Sequence, residues 1–252
     1  MLPKFLKPTV QVPMVRIGSK KDGGYFIPSI IIKNLKKIIA CGLGEDWSFE
    51  EDFLKRKKNI KITFYDHTVG TLFWLKYFFK SMYFFFRYGS HLSKVFKFFK
   101  YLKFFKNKNV NHIKSKISKI TNVYKKEISL KEILKFEKKI LLKIDIEGDE
   151  YKILKQIILY QKKLNCLIIE FHQINKNYTK IKNFLTKLKY LKNCNISPNN
   201  SGGIDKFNNP LTIEMVLINN AFLKKKNYTK NINIKYQLNN PYKKAIKIKF
   251  KS

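Results

Sequence analysis

Acid is what this chain has least of. Only 17 Asp and Glu stand against 53 Lys and Arg, a formal net charge of +36 over 252 residues. Such an excess points toward nucleic acid or an anionic membrane as a partner. It also follows from a composition rich in Lys, Asn, Ile and Phe and poor in Ala, Gly and Arg. Charge bears on partners and not on fold. Cysteine is equally scarce: Cys41, Cys166 and Cys194 are odd in number and form no Cys-x-x-Cys pair. That pattern excludes a disulfide framework and a cysteine zinc site and fits reduced thiols in a cytosolic protein. No stretch reaches the ~20 apolar residues of a spanning helix. The opening Met1–Pro8 has no long apolar core, so no secretion signal is expected. Without one, the Asn-x-Ser/Thr triplets at 177, 199 and 227 carry no weight. The expected location is cytoplasmic, with peripheral contact at a membrane as a variant.

Scarcity makes clustering informative. Four of the acids fall between Asp145 and Glu150, in Lys143-Ile-Asp-Ile-Glu-Gly-Asp-Glu150. Ahead of them Ile140, Leu142, Ile144 and Ile146 alternate with Lys143, Asp145 and Glu147, the period of a β-strand. Behind the glycine, Tyr151, Leu154, Ile157 and Ile158 repeat at helical spacing. An acid-bearing strand thus ends where a helix starts, the place where open α/β sheets hold ligands.

At 44% hydrophobic, the chain suffices for one large domain or two small ones. Strand and helix patterns alternate from residue 37. Lys37–Cys41 reads as a strand ending in Gly42-Leu43-Gly44, followed by a helix from about Asp46 or Ser48, with acids in its first turns. A second strand, 60–65, ends at Asp66. Ser129-Leu-Lys-Glu132 is a capping box. The strand at 140–146, a helix at 149–160 and a strand at 164–171 form a further β-α-β unit. A helix at 178–191 and strands near 193–197 and 211–218 follow. This alternation predicts a parallel sheet with helices on both faces.

Residues 67–126 break the rhythm. They hold no acid, twelve Lys and Arg from Lys76 to Lys119, and sixteen aromatics between Phe73 and Phe105. We read them as a helical insertion after the second strand. Its lysines 94, 97, 100, 103 and 106 turn by about 60° at each step and so wind round a helix instead of marking one face. A lid packed on the core, membrane contact through 71–106, and a nucleic-acid surface of stacked aromatics and cations are the competing readings. The division expected is an N-terminal segment 1–36, a main domain 37–220 and a basic tail 221–252. In the tail Ile232, Ile234 and Tyr236 are spaced to pair with Ala245, Ile246, Ile248 and Phe250 as a hairpin.

Four strand ends carry residues suited to chemistry: Gly42 and Gly44, Asp66, Asp145 with Glu147, and Glu170 with His172. A doubly wound sheet gathers such ends on one edge. The glycine turn admits a ligand close to backbone, and Asp66 lies where an acid meets a nucleotide ribose. A dinucleotide site would have glycine where Trp47 stands, so a smaller adenosine-bearing ligand fits better. Asp149 and Glu150 suit a helix N-terminus. Asp145 and Glu147, on one strand face, and His172 remain as candidate catalytic groups. Metal binding by Asp145, Glu147 and His172 is open to these residue types, but they lack a diagnostic ligand spacing and no metal is assigned.

These residues together resemble the FkbM family of S-adenosylmethionine-dependent methyltransferases. The resemblance rests on Leu142-Lys-Ile-Asp-Ile-Glu-Gly-Asp-Glu150 with Tyr151–Leu154, and on Ile168-Ile-Glu-Phe-His172. It extends to Lys21-Asp-Gly-Gly-Tyr25, to Ala40–Asp52, to Asn199-Asn200 and to Leu211–Glu214, covering about 15–220 apart from the insertion. The fold it implies is α/β: a Rossmann-like, seven-stranded class I methyltransferase sheet carrying the aromatic-basic helical insertion. It implies S-adenosylmethionine as cofactor, its methionine part cradled by Gly42, Leu43 and Gly44 and its ribose held by Asp66. Asp145 and Glu147 would line the reaction cleft, with His172 at hand as a base. The implied acceptor is a sugar, a glycan or another hydroxyl-bearing small molecule. A nucleic-acid-binding protein or an RNA methyltransferase is the alternative that the basic insertion supports.

Overall fold

Strands and helices alternate along most of the chain in the computed structural model, which describes residues 1–89, 92–229 and 232–251. A hairpin of β1 (Met14–Ile17) and β2 (Tyr25–Pro28) is followed by a helical turn, α1 (Ile31–Asn34). Next come β3 (Lys37–Cys41), α2 (Ser48–Arg56) and β4 (Lys61–Tyr65). Two aromatic helices, α3 (Thr71–Tyr88) and α4 (Leu92–Phe105), lead to β5 (Val110–Ile113). A small parallel pair, β6 (Lys116–Ser118) and β7 (Glu127–Ser129), precedes α5 (Leu130–Leu134). The Ser129 hydroxyl accepts from the Glu132 amide and caps α5, which is half of the capping box expected from the sequence; the Ser129 amide donates to Thr121 Oγ1 and not to Glu132. The chain continues through β8 (Ile140–Ile144), α6 (Glu150–Tyr160), β9 (Leu164–Phe171), α7 (Ile174–Thr186), β10 (Leu191–Pro198) and β11 (Ile213–Asn219).

Seven strands form one sheet in the order β10-β11-β9-β8-β3-β4-β5. Neighbours from β9 to β5 are parallel, and β11 runs antiparallel to both β9 and β10. That is the strand order and the single reversed strand of the class I methyltransferase sheet. The winding changes direction at β3, which has β4 on one side and β8 on the other, so the crevice of an open sheet lies at the ends of these three strands.

Alternation along each strand feeds two cores. Ile39, Cys41, Leu142, Ile144, Leu167 and Ile169 pack with α5, α6 and α7 on one face. Ile38, Ala40, Leu141, Cys166 and Ile168 pack with α2, α3, α4 and the β1–β2 hairpin on the other. Strands buried on both faces are what parallel sheets require.

Several boundaries differ from those the sequence predicts. The segment 67–126 is not helical throughout: its helices end at Phe105, and Val110–Ile113 supplies the edge strand beside β4. Residues 90 and 91 of it lie outside the described residues, as do 230, 231 and 252 of the tail. Helix α7 starts at Ile174 and stops at Thr186, since Leu191 is already taken into β10. The described tail forms no hairpin. It runs beside β10 on side-chain hydrogen bonds instead, with Asn195 Nδ2 donating to the Lys235 carbonyl and the Gln237 amide donating to Ser197 Oγ. Among the described residues, no helix is long and apolar enough to cross a membrane.

Candidate active site

The loops after β3, β4 and β8 enclose a cavity of about 750 Å³, within the usual range for a small-molecule site. Gly42, Leu43, Gly44, Asp66, Asp145 and Glu147 all line it. His172 stands behind Glu147, with its Nε2 3.4 Å from Glu147 Oε2.

The two glycines have different tasks. Gly42 has a φ of +93°, and a Cβ built on it would sit 1.9 Å from the Asp145 carbonyl oxygen. Its first duty is therefore to let the β3 and β8 loops touch, and the Asp145 amide donates to the Cys41 carbonyl at 2.9 Å across the same seam. Gly44, at φ +57°, would meet nothing within 4 Å. It leaves the cleft wall bare where a ligand can approach backbone.

Asp66 follows β4 and is buried. Its Oδ2 accepts the Leu43 amide at 2.8 Å, and Oδ1 accepts the Thr68 amide and hydroxyl at 2.7 and 2.6 Å and the Val69 amide at 3.3 Å. Burial pushes this carboxyl up, but those donors outweigh it and hold the group below the ordinary range. Asp66 is thus an anion that braces the glycine loop while facing the cleft.

Strand β8 stops at Ile144, short of the acids. Asp145 and Glu147 accordingly do not share a strand face. A turn with Glu147 at φ +52° and Gly148 at φ +98° brings them together instead. Burial raises Asp145 to about 6, against the pull of Lys143 and His172. Burial also works against a proton on His172, but Glu150, Asp145 and Glu147 prevail and raise it. The donor atoms of Asp145, Glu147 and His172 lie within 4.8 Å of one another, close enough for a divalent cation to bridge, which their sequence spacing does not reveal.

Glu150 is more than a helix-terminus acid. Fully buried, it accepts the Gly148 amide through Oε2 and the His172 amide through Oε1, both at 2.8 Å. It ties the β8 loop to the end of β9. Asp149 does stay at the helix end, paired with Lys116 and Lys152.

For the rest of the wall, the sequence patterns named Glu170 as a strand-end residue and the segments around Asp22, Asn199 and Glu214 as motifs, but gave none of them a role at the site. Lys143 projects from β8 into a buried pair with Glu50 of α2 at 3.1 Å, and its ammonium lies 5.1 Å from the ring centre of Tyr25. Asp22 and Tyr25 of the Asp-Gly-Gly-Tyr segment line the cavity beside it. Deeper, Glu170 accepts from Asn199 at 2.8 Å, and Glu214 accepts from Asn239 at 2.6 Å and Gln237 at 3.2 Å. Burial drives Glu170 well above its ordinary range, reinforced by the charges of Asp145 and Glu214. Burial takes Glu214 to about 8 despite the Asn239 bond. The pairing of Glu214 with Glu170 across β11 and β9 was the available signal, and it needs the register to be seen.

A sheet of this order, with a glycine turn after its central strand and acids at the two neighbouring strand ends, has the architecture of class I methyltransferases. Residues 81–194 match the family model described as the methyltransferase FkbM domain, in agreement with the motifs around Asp145 and His172. The match supports a methyltransferase. No curated protein sequence matches the chain. Among solved structures, an rRNA methylase from Streptococcus thermophilus is similar at 11% identity and TM-score 0.41, over 75% of this chain and 92% of that one. A precorrin-6y C5,15-methyltransferase from Geobacter metallireducens is similar at 11% identity and TM-score 0.38, over 76% and 87%. A dimethyladenosine transferase from Plasmodium falciparum is similar at 12% identity and TM-score 0.37, over 79% and 64%. At such scores these likenesses decide nothing about substrate, and the fold rests on strand order and pairing.

Proposed function

We propose that the protein is an S-adenosylmethionine-dependent O-methyltransferase whose acceptor is a sugar, a glycan or another hydroxyl-bearing small molecule. One observation carries the reading: the bare glycine wall at Gly44, the Asp66 carboxylate and Asp145 all open onto one cleft. The residues fit the cofactor. Gly44 and the neighbouring backbone offer an uncrowded surface for its methionine part, and Asp66 offers an anionic acceptor at the ribose position. The carboxylates around the cleft offset the repulsion that a +36 chain exerts on a cationic ligand.

When bound, the cofactor supplies an electrophilic methyl group. The protein's part is to orient the acceptor and take its proton. Asp145, raised by burial toward neutrality, is positioned to accept the hydroxyl proton, and His172 stands behind Glu147 as a second proton carrier. Positioning supplies much of the acceleration in such a displacement.

Calorimetric titration with S-adenosylmethionine tests the first half. Binding to the wild-type chain with loss in Asp66→Ala is expected, provided that Asp66→Asn and a thermal scan show the fold retained. Absence of binding by the wild type refutes the reading. Transfer of labelled methyl into a sugar or glycan fraction tests the second half. Label appearing in RNA overturns the acceptor class and leaves the cofactor assignment standing.

A further inference from the structure

Helix α3 has two apolar faces and needs only one for the core. Its inner face carries Trp74 and Ser81, both buried, with the Trp74 ring packed against Trp47 and Tyr101. The other face is where a surface helix places polar residues. Here it carries Leu72, Leu75, Phe79, Tyr83 and Phe86, all exposed, Phe86 to 76%. At about 100° per residue these five fall within an arc of about 80°, a ridge some ~21 Å long running down four turns. Phe96 and Phe99 of α4 are exposed as well, and Phe99 packs edge-on against Phe78 of α3. Among the described residues, no element covers the ridge.

Charge narrows what can cover it. Lys76, Lys80 and Arg87, all exposed, fall together in about the next 60° of arc along one border of the ridge. Residues 67–126 contain no Asp or Glu. The lysines of α4 wind round their helix, but the basic border of α3 is one-sided. An apolar ridge with a cationic border is the face of a helix that lies in a lipid interface, burying its ridge among acyl chains and setting its cations on anionic head groups. A second copy of this chain fits poorly, because its own hairpin would bring lysines and no acid to the contact. A single nucleic-acid strand would find rings to stack on but would leave Leu72 and Leu75 without a partner.

We propose that α3 docks this protein on an anionic phospholipid bilayer, with Leu72, Leu75, Phe79, Tyr83 and Phe86 in the interface and Lys76, Lys80 and Arg87 on the head groups. The proposal stands apart from the methyl-transfer reading, since it uses no residue assigned to the cofactor or the base. It does give the cleft an orientation. The Tyr77 hydroxyl donates to Glu45 Oε2 at 3.2 Å, and Lys97 Nζ lies 3.4 Å from the same oxygen. Glu45 lines the cleft and meets α3 at Tyr77, about 160° round the helix from the centre of the ridge, so a docked α3 stands between the lipid surface and this rim of the cleft, one helix diameter (~10 Å) away.

Co-sedimentation of the full chain with large vesicles tests this. One set is phosphatidylcholine alone and the other is phosphatidylcholine mixed with phosphatidylserine. The wild type should pellet with the anionic vesicles and be released by salt. The triple variant Leu72→Ser, Phe79→Ser, Phe86→Ser should lose at least about tenfold in partitioning. Lys76→Gln, Lys80→Gln, Arg87→Gln should lose roughly a hundredfold. All six side chains are exposed, so circular dichroism and thermal midpoints should match the wild type. Wild-type protein left in the supernatant, or equal pelleting of the serine variant, overturns the proposal. So does finding that the ridge instead closes a dimer in sedimentation velocity, or that the serine variant loses RNA binding while vesicle pelleting is absent.

Discussion

Substituting alanine at Gly42 and at Gly44 should give opposite results from the same chemical change. At Gly42 the new Cβ arrives 1.9 Å from the Asp145 carbonyl oxygen, and the φ of +93° lies beyond the left-handed helical region. Holding a non-glycine residue there costs about 1–3 kcal/mol. Relieving a clash against backbone, which cannot rotate aside, costs about another 1–3 kcal/mol. A loss of about 4 kcal/mol follows. With a urea m-value of ~2–3 kcal/mol/M, the unfolding midpoint should fall by roughly 1.5 M. At Gly44, φ +57° is an ordinary left-handed value and nothing lies within 4 Å, so the cost is about 1 kcal/mol. That variant should keep most of its stability and lose affinity for S-adenosylmethionine, because its methyl occupies the cleft. Urea unfolding followed by circular dichroism, paired with calorimetry, reads both effects. A Gly42→Ala midpoint indistinguishable from wild type would refute the claim that this glycine exists to join the β3 and β8 loops.

Other expectations concern the polar residues. Lys143→Met strands the buried Glu50 carboxylate and should cost about 3–5 kcal/mol in guanidinium unfolding, while adding Glu50→Leu should restore most of it; additive losses would show that the two do not act as a pair. Glu214 has its carboxyl raised by burial to about 8 from an unfolded value near 4.5. The folded chain then holds a proton that the unfolded chain has released, so its stabilisation is complete below pH 4.5 and fades as pH rises through 8. Glu214→Gln should flatten that slope in midpoint-against-pH curves, and an unchanged slope would count against the assignment. Asp66 works in the opposite sense. Its depressed value gives stability that is present above about pH 4 and is lost on further acidification. Asp66→Asn should remove that acid-side loss. If methyl transfer is established, Asp145→Asn should lower kcat by about 10²–10⁴-fold with cofactor affinity retained. A kcat within a few-fold of wild type would move the base elsewhere.

Short apolar runs such as Lys37–Cys41 and Ile140–Ile144 were enough to place the central strands, and each ends where a glycine or an acid interrupts the run. That is why Gly42, Gly44, Asp66, Asp145 and Glu147 could be assigned to one edge in advance, and the structure sets all five on one cleft. What escaped notice depends on longer-range pairing. Strand β5 is four residues among Lys and Asn, and its extended shape is set by β4 beside it. The reversal of β11 is marked only by what the connection lacks: residues 199–212 hold no helix to carry a parallel crossover, so the chain turns back. Glu150 looked like a helix-terminus acid because its bond to the His172 amide at the end of β9 spans 22 residues and leaves no local pattern. Glu170, Glu214, Asn199 and Asn239 come from four segments, and only the antiparallel register and the returning tail bring them together.

Trp47 stands where a dinucleotide fold would have glycine. The chain contains two tryptophans, and both sit at the same joint: Trp47 after the glycine turn and Trp74 on α3, ring centres 5.4 Å apart and nearly perpendicular. Two indoles this close and fixed in angle couple their electronic transitions. The protein therefore carries a built-in optical gauge, with no label required, on the joint between the loop after the glycine turn and α3, which the Glu45–Tyr77 contact also spans.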